Sequence, residues 1–107
     1  MTPSEFDRLA DAALERLGRA LDESVADCDC EPKGSGVLEI EFADGSRIVV
    51  NRHSAAQEIW VASKSGGLHF RWDGSSWVDT RDGSELFAEL SKLVSRHSGS
   101  PVVLGAR

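Results

Sequence analysis

Nine carboxylates stand among the first 31 residues of this 107-residue chain: Glu5, Asp7, Asp11, Glu15, Asp22, Glu23, Asp27, Asp29 and Glu31. Only Arg8, Arg16 and Arg19 accompany them, whereas the rest of the chain holds nine acids and nine bases. The whole net charge of −6 therefore sits in the first third. Carboxylate oxygens are hard ligands, suited to Ca²⁺, Mg²⁺, Mn²⁺ and iron ions. Spread along a surface they cannot close into a cage, so cation binding there is expected to be weak and electrostatic. The same field repels nucleic-acid phosphates and anionic lipid, and attracts basic protein surfaces. The plain alternative is a solvated face that aids solubility. Against it, the acids are read as lacking i,i+4 basic partners, so that they repel one another along the chain.

Other chemistry is sparse. There is no G-x-S-x-G, no Gly-rich phosphate loop and no H-E-x-x-H. Gly66-Gly67 reads as a hairpin turn. His53, His69 and His97 lie far apart, with His97 expected to pack or cap at a helix end and His69 to face solvent on a sheet. Cys28 and Cys30 form a C-x-C pair without the second ligand pair of a zinc site, and read as free thiols in a reducing cytosol. Trp60 alternates with Ile59 and Val61, which places it on the opposite, uncovered sheet face as a partner anchor.

The elements that must carry these residues follow from periodicity. Phe6, Leu9, Ala10, Ala13, Leu14, Leu17, Ala20 and Leu21 recur at helical spacing, predicting an amphipathic helix over residues 4–23 with Ser4 as N-cap and Asp7 completing a capping box. Asp7, Asp11, Glu15 and Asp22 fall within about 80° of one another at 100° per residue, a carboxylate line beside the apolar face. Gly18 weakens this helix. Residues 24–36 read as a connector, so that helix and connector make one continuous acidic stretch. Period-two runs then predict strands around Leu38–Phe42, Arg47–Asn51, Glu58–Val61, Leu68–Trp72 and Ser76–Asp79, separated by turn signals such as Ala43-Asp44-Gly45 and Ser65-Gly66-Gly67. A second helix, capped by Asp82 with Glu85 in the capping box, carries Leu86, Leu90, Leu93, Val94 and His97 and stops at Ser98-Gly99. Pro101 to Leu104 follows as a short edge strand or a tail on the core.

Helix, antiparallel meander, helix implies a single α+β domain over residues 1–107. It is a two-layer α-β sandwich, with both terminal helices on one face of the sheet and the other face open. No apolar run approaches the length of a membrane span, and the N-terminus has no signal-peptide pattern, so a cytoplasmic protein is expected.

A family resemblance rests on Asn51-Arg52-His53, on Glu58-Ile59-Trp60-Val61-Ala62-Ser63-Lys64-Ser65-Gly66-Gly67-Leu68-His69-Phe70, and on the spacings between them. The opening Ser4-Glu5-Phe6, Arg8-Leu9-Ala10-Asp11 and the segment from Cys30-Glu31 through Gly36-Val37-Leu38 to Gly45-Ser46 agree with it. The chain resembles the frataxins, in their bacterial form, from residue 4 to about 104. It departs from their usual pattern at Asp7, Gly18, Arg19, His53, Ala55 and Glu58. The resemblance implies weak binding of ferrous and ferric iron, and of other divalent cations, by Asp11, Glu15, Asp22, Glu23, Asp27, Asp29 and Glu31. It implies binding to a cysteine desulfurase and to the iron–sulfur scaffold protein, with Asp22, Glu23, Asn51 and Trp60 at the contacts. The expected role is to regulate iron–sulfur cluster assembly or to supply its iron, as a monomer or an iron-dependent oligomer. The alternatives are a weak ferroxidase, or a modulator of the desulfurase that transfers no iron. A true enzyme is not expected, because no converging Glu-x-x-His pairs of a di-iron site are present.

Overall fold

The computed structural model describes residues 1–24 and 26–104. The element order is α1 (Pro3–Asp22), β1 (Cys28–Pro32), β2 (Val37–Phe42), β3 (Arg47–His53), β4 (Glu58–Ser63), β5 (Gly66–Trp72), β6 (Trp77–Asp79) and α2 (Leu86–Ser98). The six strands form one antiparallel meander in chain order. The α-β sandwich read from periodicity is therefore the observed fold.

Part of the segment read as a connector over residues 24–36 is a strand. Residues 28–32 are an edge strand, pairing Cys28 with Phe42 and Pro32 with Leu38. Its alternation places Cys28 and Cys30 against the core and turns Asp29 and Glu31 outward. Proline is tolerated there because it ends an edge strand.

The cap of helix α1 lies two residues before the expected one. Thr2, not Ser4, is the N-cap: its Oγ1 accepts from the Glu5 amide at 3.1 Å, and the Glu5 carboxylate accepts from the Thr2 amide at 2.9 Å. Pro3 at N1 favours this earlier start, since its fixed φ suits the first turn and its missing N–H needs no partner there. The cap of α2 also moves, from Asp82 to Glu85, whose carboxylate accepts from the Phe87 and Ala88 amides. Glu85 still bridges to Val78 of β6, so the chain is extended through that position and the helix starts after it. Asp82 instead closes a turn by accepting from the Ser84 amide at 2.9 Å.

The inner faces of the strands and the apolar faces of both helices make one core. Phe6, Leu17, Ile40, Ile48, Val50, Ile59, Phe70, Leu90 and Val94 are wholly inaccessible. Burial of such side chains, about 1.5–3 kcal/mol each, drives the two layers together. His97 packs in this core, its ring 4.8 Å from that of Phe42 and its Nδ1 2.9 Å from Ser46 Oγ. The C-cap role falls to Gly99, in the left-handed conformation at φ 76°. Residues 101–104 form no strand. They lie as a tail on α2, where Ser95 Oγ accepts from the Val102 amide and Ser91 Oγ from the Leu104 amide, burying Val102 and Leu104.

Candidate metal and partner site

The acidic residues do not form one line. Glu15 and Asp11 lie on the exposed side of α1, and Asp22 and Glu23 at its C-terminal end. Asp27 is exposed just before β1, and Asp29 and Glu31 look outward from β1. The acids thus wrap around the β1 edge, from the helix layer to the open sheet face. On that face Asp29 stands opposite Glu41, and Glu31 opposite Glu39. Glu39 and Glu41 are additions to the residues expected from sequence. They become neighbours of the acidic run only once residues 28–32 are a strand.

The expectation that these acids lack i,i+4 basic partners is corrected for Glu15, and cations from elsewhere in the chain reach Glu31, Asp11 and Asp7. Arg19 lies 3.6 Å from Glu15 one helical turn away. Lys33 Nζ lies 2.5 Å from Glu31 and 3.9 Å from Glu39, and its hydrogen bond holds the Glu31 carboxyl below the usual range. Arg52, from the inner end of β3, reaches Asp11 at 2.5 Å and Asp7 at 3.8 Å. The remaining four, Asp22, Glu23, Asp27 and Asp29, make no ion pair among the described residues. Among those residues no three His, Cys, Asp or Glu side chains come together in a group that could hold a metal ion. The geometry is that of an open carboxylate surface. Single carboxylates there can exchange for water on a hydrated hard cation without enclosing it.

Cys28 and Cys30 are free and half-buried. Burial and the nearby Asp22 charge push the Cys30 thiol up to about 11, and burial also raises Cys28. Both are neutral, weakly nucleophilic thiols near pH 7.

Trp60 stands on the open sheet face, as its alternation with buried Ile59 and Val61 requires. Its surroundings differ from expectation, because both faces of the indole are covered. His53 stacks at 3.8 Å and 10°, and His69 at 4.5 Å and 11°. The pairing of Trp60 with His69 across β4 and β5 supplies one imidazole, and the end of β3 supplies the other. The Trp60 Nε1–H donates to Glu58 Oε1 at 2.8 Å. Glu58 also lies 3.6 Å from His69 Nδ1 and 3.9 Å from an Arg71 guanidinium nitrogen. What Trp60 offers a partner is a ring edge in a row of three rings. Asn51, opposite Trp60, is half-buried and donates to the Arg52 carbonyl at 3.2 Å. The residues expected at partner contacts therefore fall in two separate places: Asn51 and Trp60 lie in the middle of the open sheet, and Asp22 and Glu23 at its β1 edge.

A family model described as a frataxin-like domain matches residues 1–100. The chain belongs to the frataxin family. It is 58% identical over 104 residues to the iron-sulfur cluster assembly protein CyaY of Dechloromonas aromatica, covering 97% of this chain and 99% of that one. It is 52% identical to the protein of the same name from Janthinobacterium, covering 97% and 96%. Among solved structures this frataxin superposes on that of Psychromonas ingrahamii with a TM-score of 0.90 at 28% identity, covering 98% and 99% of the two chains. It superposes on trimeric yeast frataxin complexed with ferrous iron with a TM-score of 0.72 at 28% identity, covering 85% and 86%.

Proposed function

We propose that this frataxin serves iron–sulfur cluster assembly as a weak iron-binding protein. It regulates the cysteine desulfurase and scaffold complex, or supplies iron to it. The observation that carries the reading is the group of four unpaired carboxylates, Asp22, Glu23, Asp27 and Asp29, on an open surface where helix and edge strand meet. The cluster-assembly role in the relatives' names and the ferrous complex of the yeast neighbour support it. Iron is cargo in this scheme. Asp22 and Glu23 also face a basic desulfurase surface, and Asn51 and the edge of Trp60 meet the scaffold on the open sheet. Glu15 and Glu31 contribute through field more than through direct contact, since each already has a cation beside it. The protein acts in the cytoplasm, as a monomer that iron can drive to oligomerise.

Catalysis of iron oxidation is not part of the proposal. Among the described residues the carboxylates form no group of three that could hold a metal ion, and His53 and His69 are engaged with Trp60 on the open sheet face. The test is a pull-down and activity assay with purified cysteine desulfurase, with and without ferrous iron. It compares the wild type, a variant with Asp22, Glu23, Asp27 and Asp29 changed to Asn or Gln, and Trp60→Ala. Loss of binding in the ridge variant, with an assembly rate that responds to iron, supports the proposal. A wild type that neither binds the desulfurase nor alters its rate overturns it.

A further inference from the structure

Arg52 projects from the inner face of β3, whose sequence neighbours in the same register, Ile48 and Val50, are buried in the core. Its guanidinium leaves the core at the side of α1, where the side chain is only 18% exposed. There it makes three polar contacts. Nη1 donates to Asp11 Oδ1 at 2.5 Å, Nη2 donates to Ser35 Oγ at 3.1 Å, and Nε lies 3.8 Å from Asp7 Oδ1. Asp7 is further engaged by the Ser54 hydroxyl at 3.4 Å. The stem of Arg52 is seated over Gly36. A Cβ at Gly36 would stand 2.6 Å from Arg52 Nε, and the Gly36 carbonyl accepts from the Arg52 amide at 2.9 Å. The arginine is thus pre-positioned by the sheet, and its fork geometry suits a carboxylate.

We propose that Arg52 is an internal counter-ion that divides the acidic surface. It occupies the N-terminal carboxylates, Asp7 and Asp11, and so confines exchangeable divalent cations to the unpaired Asp22–Asp29 end. The division rests on the reading of that end as a cation surface, but the role of Arg52 has its own readout. A cation arriving at Asp11 must displace a charge already there, one that the fold holds without the entropy loss of a freely moving ion. Such competition weakens binding at that end by about fivefold, the upper range for an ion pair that is part exposed. Glu15 differs, because its partner Arg19 is a long exposed side chain on the same helix, 64% accessible, which swings away readily.

The experiment is a titration of ¹⁵N-labelled protein with Mn²⁺, reading paramagnetic broadening amide by amide. In the wild type, broadening is expected around residues 22–29 at Mn²⁺ concentrations about fivefold lower than around residues 7–11. In Arg52→Gln the two thresholds converge, and in Arg52→Lys the wild-type order is largely retained, since a cation remains in place. Equal broadening at both ends of the wild type overturns the inference, and this measurement needs no variant to fold. Unchanged broadening at residues 7–11 in a folded Arg52→Gln protein overturns it as well. Absence of broadening at residues 22–29 in the wild type overturns the cation reading of that end. New broadening at residues 7–11 in Arg52→Gln would still support the role of Arg52.

Discussion

Asp22 and Glu23 occupy the last residue and the C-cap of α1, where a negative charge meets the negative end of the helix dipole. Both are exposed, and neither has an ion-pair partner among the described residues. Changing them to Asn and Gln removes two unfavourable charge–dipole contacts, each about 0.3–1 kcal/mol at low ionic strength. The lower half of that range applies to fully solvated groups, giving about 1 kcal/mol for the pair. For a domain of this size that raises the melting midpoint by about 4–8 °C. The assay is thermal unfolding followed by circular dichroism at low salt, repeated near 1 M NaCl, where a Debye length of about 3 Å removes most of the gain. Desulfurase binding and Mn²⁺ broadening, measured on the same variant, should both weaken. A midpoint that is unchanged or lower at low salt would refute the reasoning, because the charges would then cost the fold nothing and their presence would need no functional explanation.

Gly18 lies inside α1 with nothing within 4 Å of where a Cβ would stand. Gly18→Ala should therefore stabilise the protein by about 1 kcal/mol in denaturant titration, and a loss of stability would contradict the described packing. His97 is buried, and that burial, with Lys64 and Arg96 nearby, lowers its proton affinity, while Asp44 opposes the shift. Its pKa in the unfolded chain is near 6.5. Below that value the unfolded state binds the proton first, so the contribution to stability is complete above about pH 6.5 and declines as pH falls through the folded value. Denaturant midpoints between pH 7.5 and 5 should show this decline, and His97→Gln should flatten it. Cys30, raised from 9.0 to about 11, should react with iodoacetamide at pH 7.5 about a hundredfold more slowly than an unshifted thiol. Mass spectrometry of timed samples reads the rate, and equal alkylation of native and unfolded protein would contradict the burial.

What the sequence determined was whatever a local period can encode. The alternation of Leu38, Ile40 and Phe42, and of Ile59 and Val61 around Trp60, settled which side of the sheet each residue faces, because successive side chains in a strand point to opposite faces. The i, i+3, i+4 pattern of Phe6 to Leu21 settled the helix face in the same way, and charge asymmetry located the acidic surface. Cap positions were one step less legible. At the first helix Pro3 placed the cap at Thr2 instead of Ser4, and at the second a bridge between Val78 and Glu85 kept the chain extended.

Only tertiary structure made Cys28–Pro32 a strand. Acids, cysteines and a proline give that segment little propensity of its own, and its order comes from hydrogen bonds offered by the edge of β2. That pairing set Asp29 and Glu31 against Glu41 and Glu39. Register between strands, not any local pattern, stacked His69 on Trp60. The guanidinium of Arg52 meets Asp11 across 41 positions of chain. Contacts of that kind depend on the distance between a sheet and a helix, which is set by how the whole core packs and is carried by no single stretch of residues.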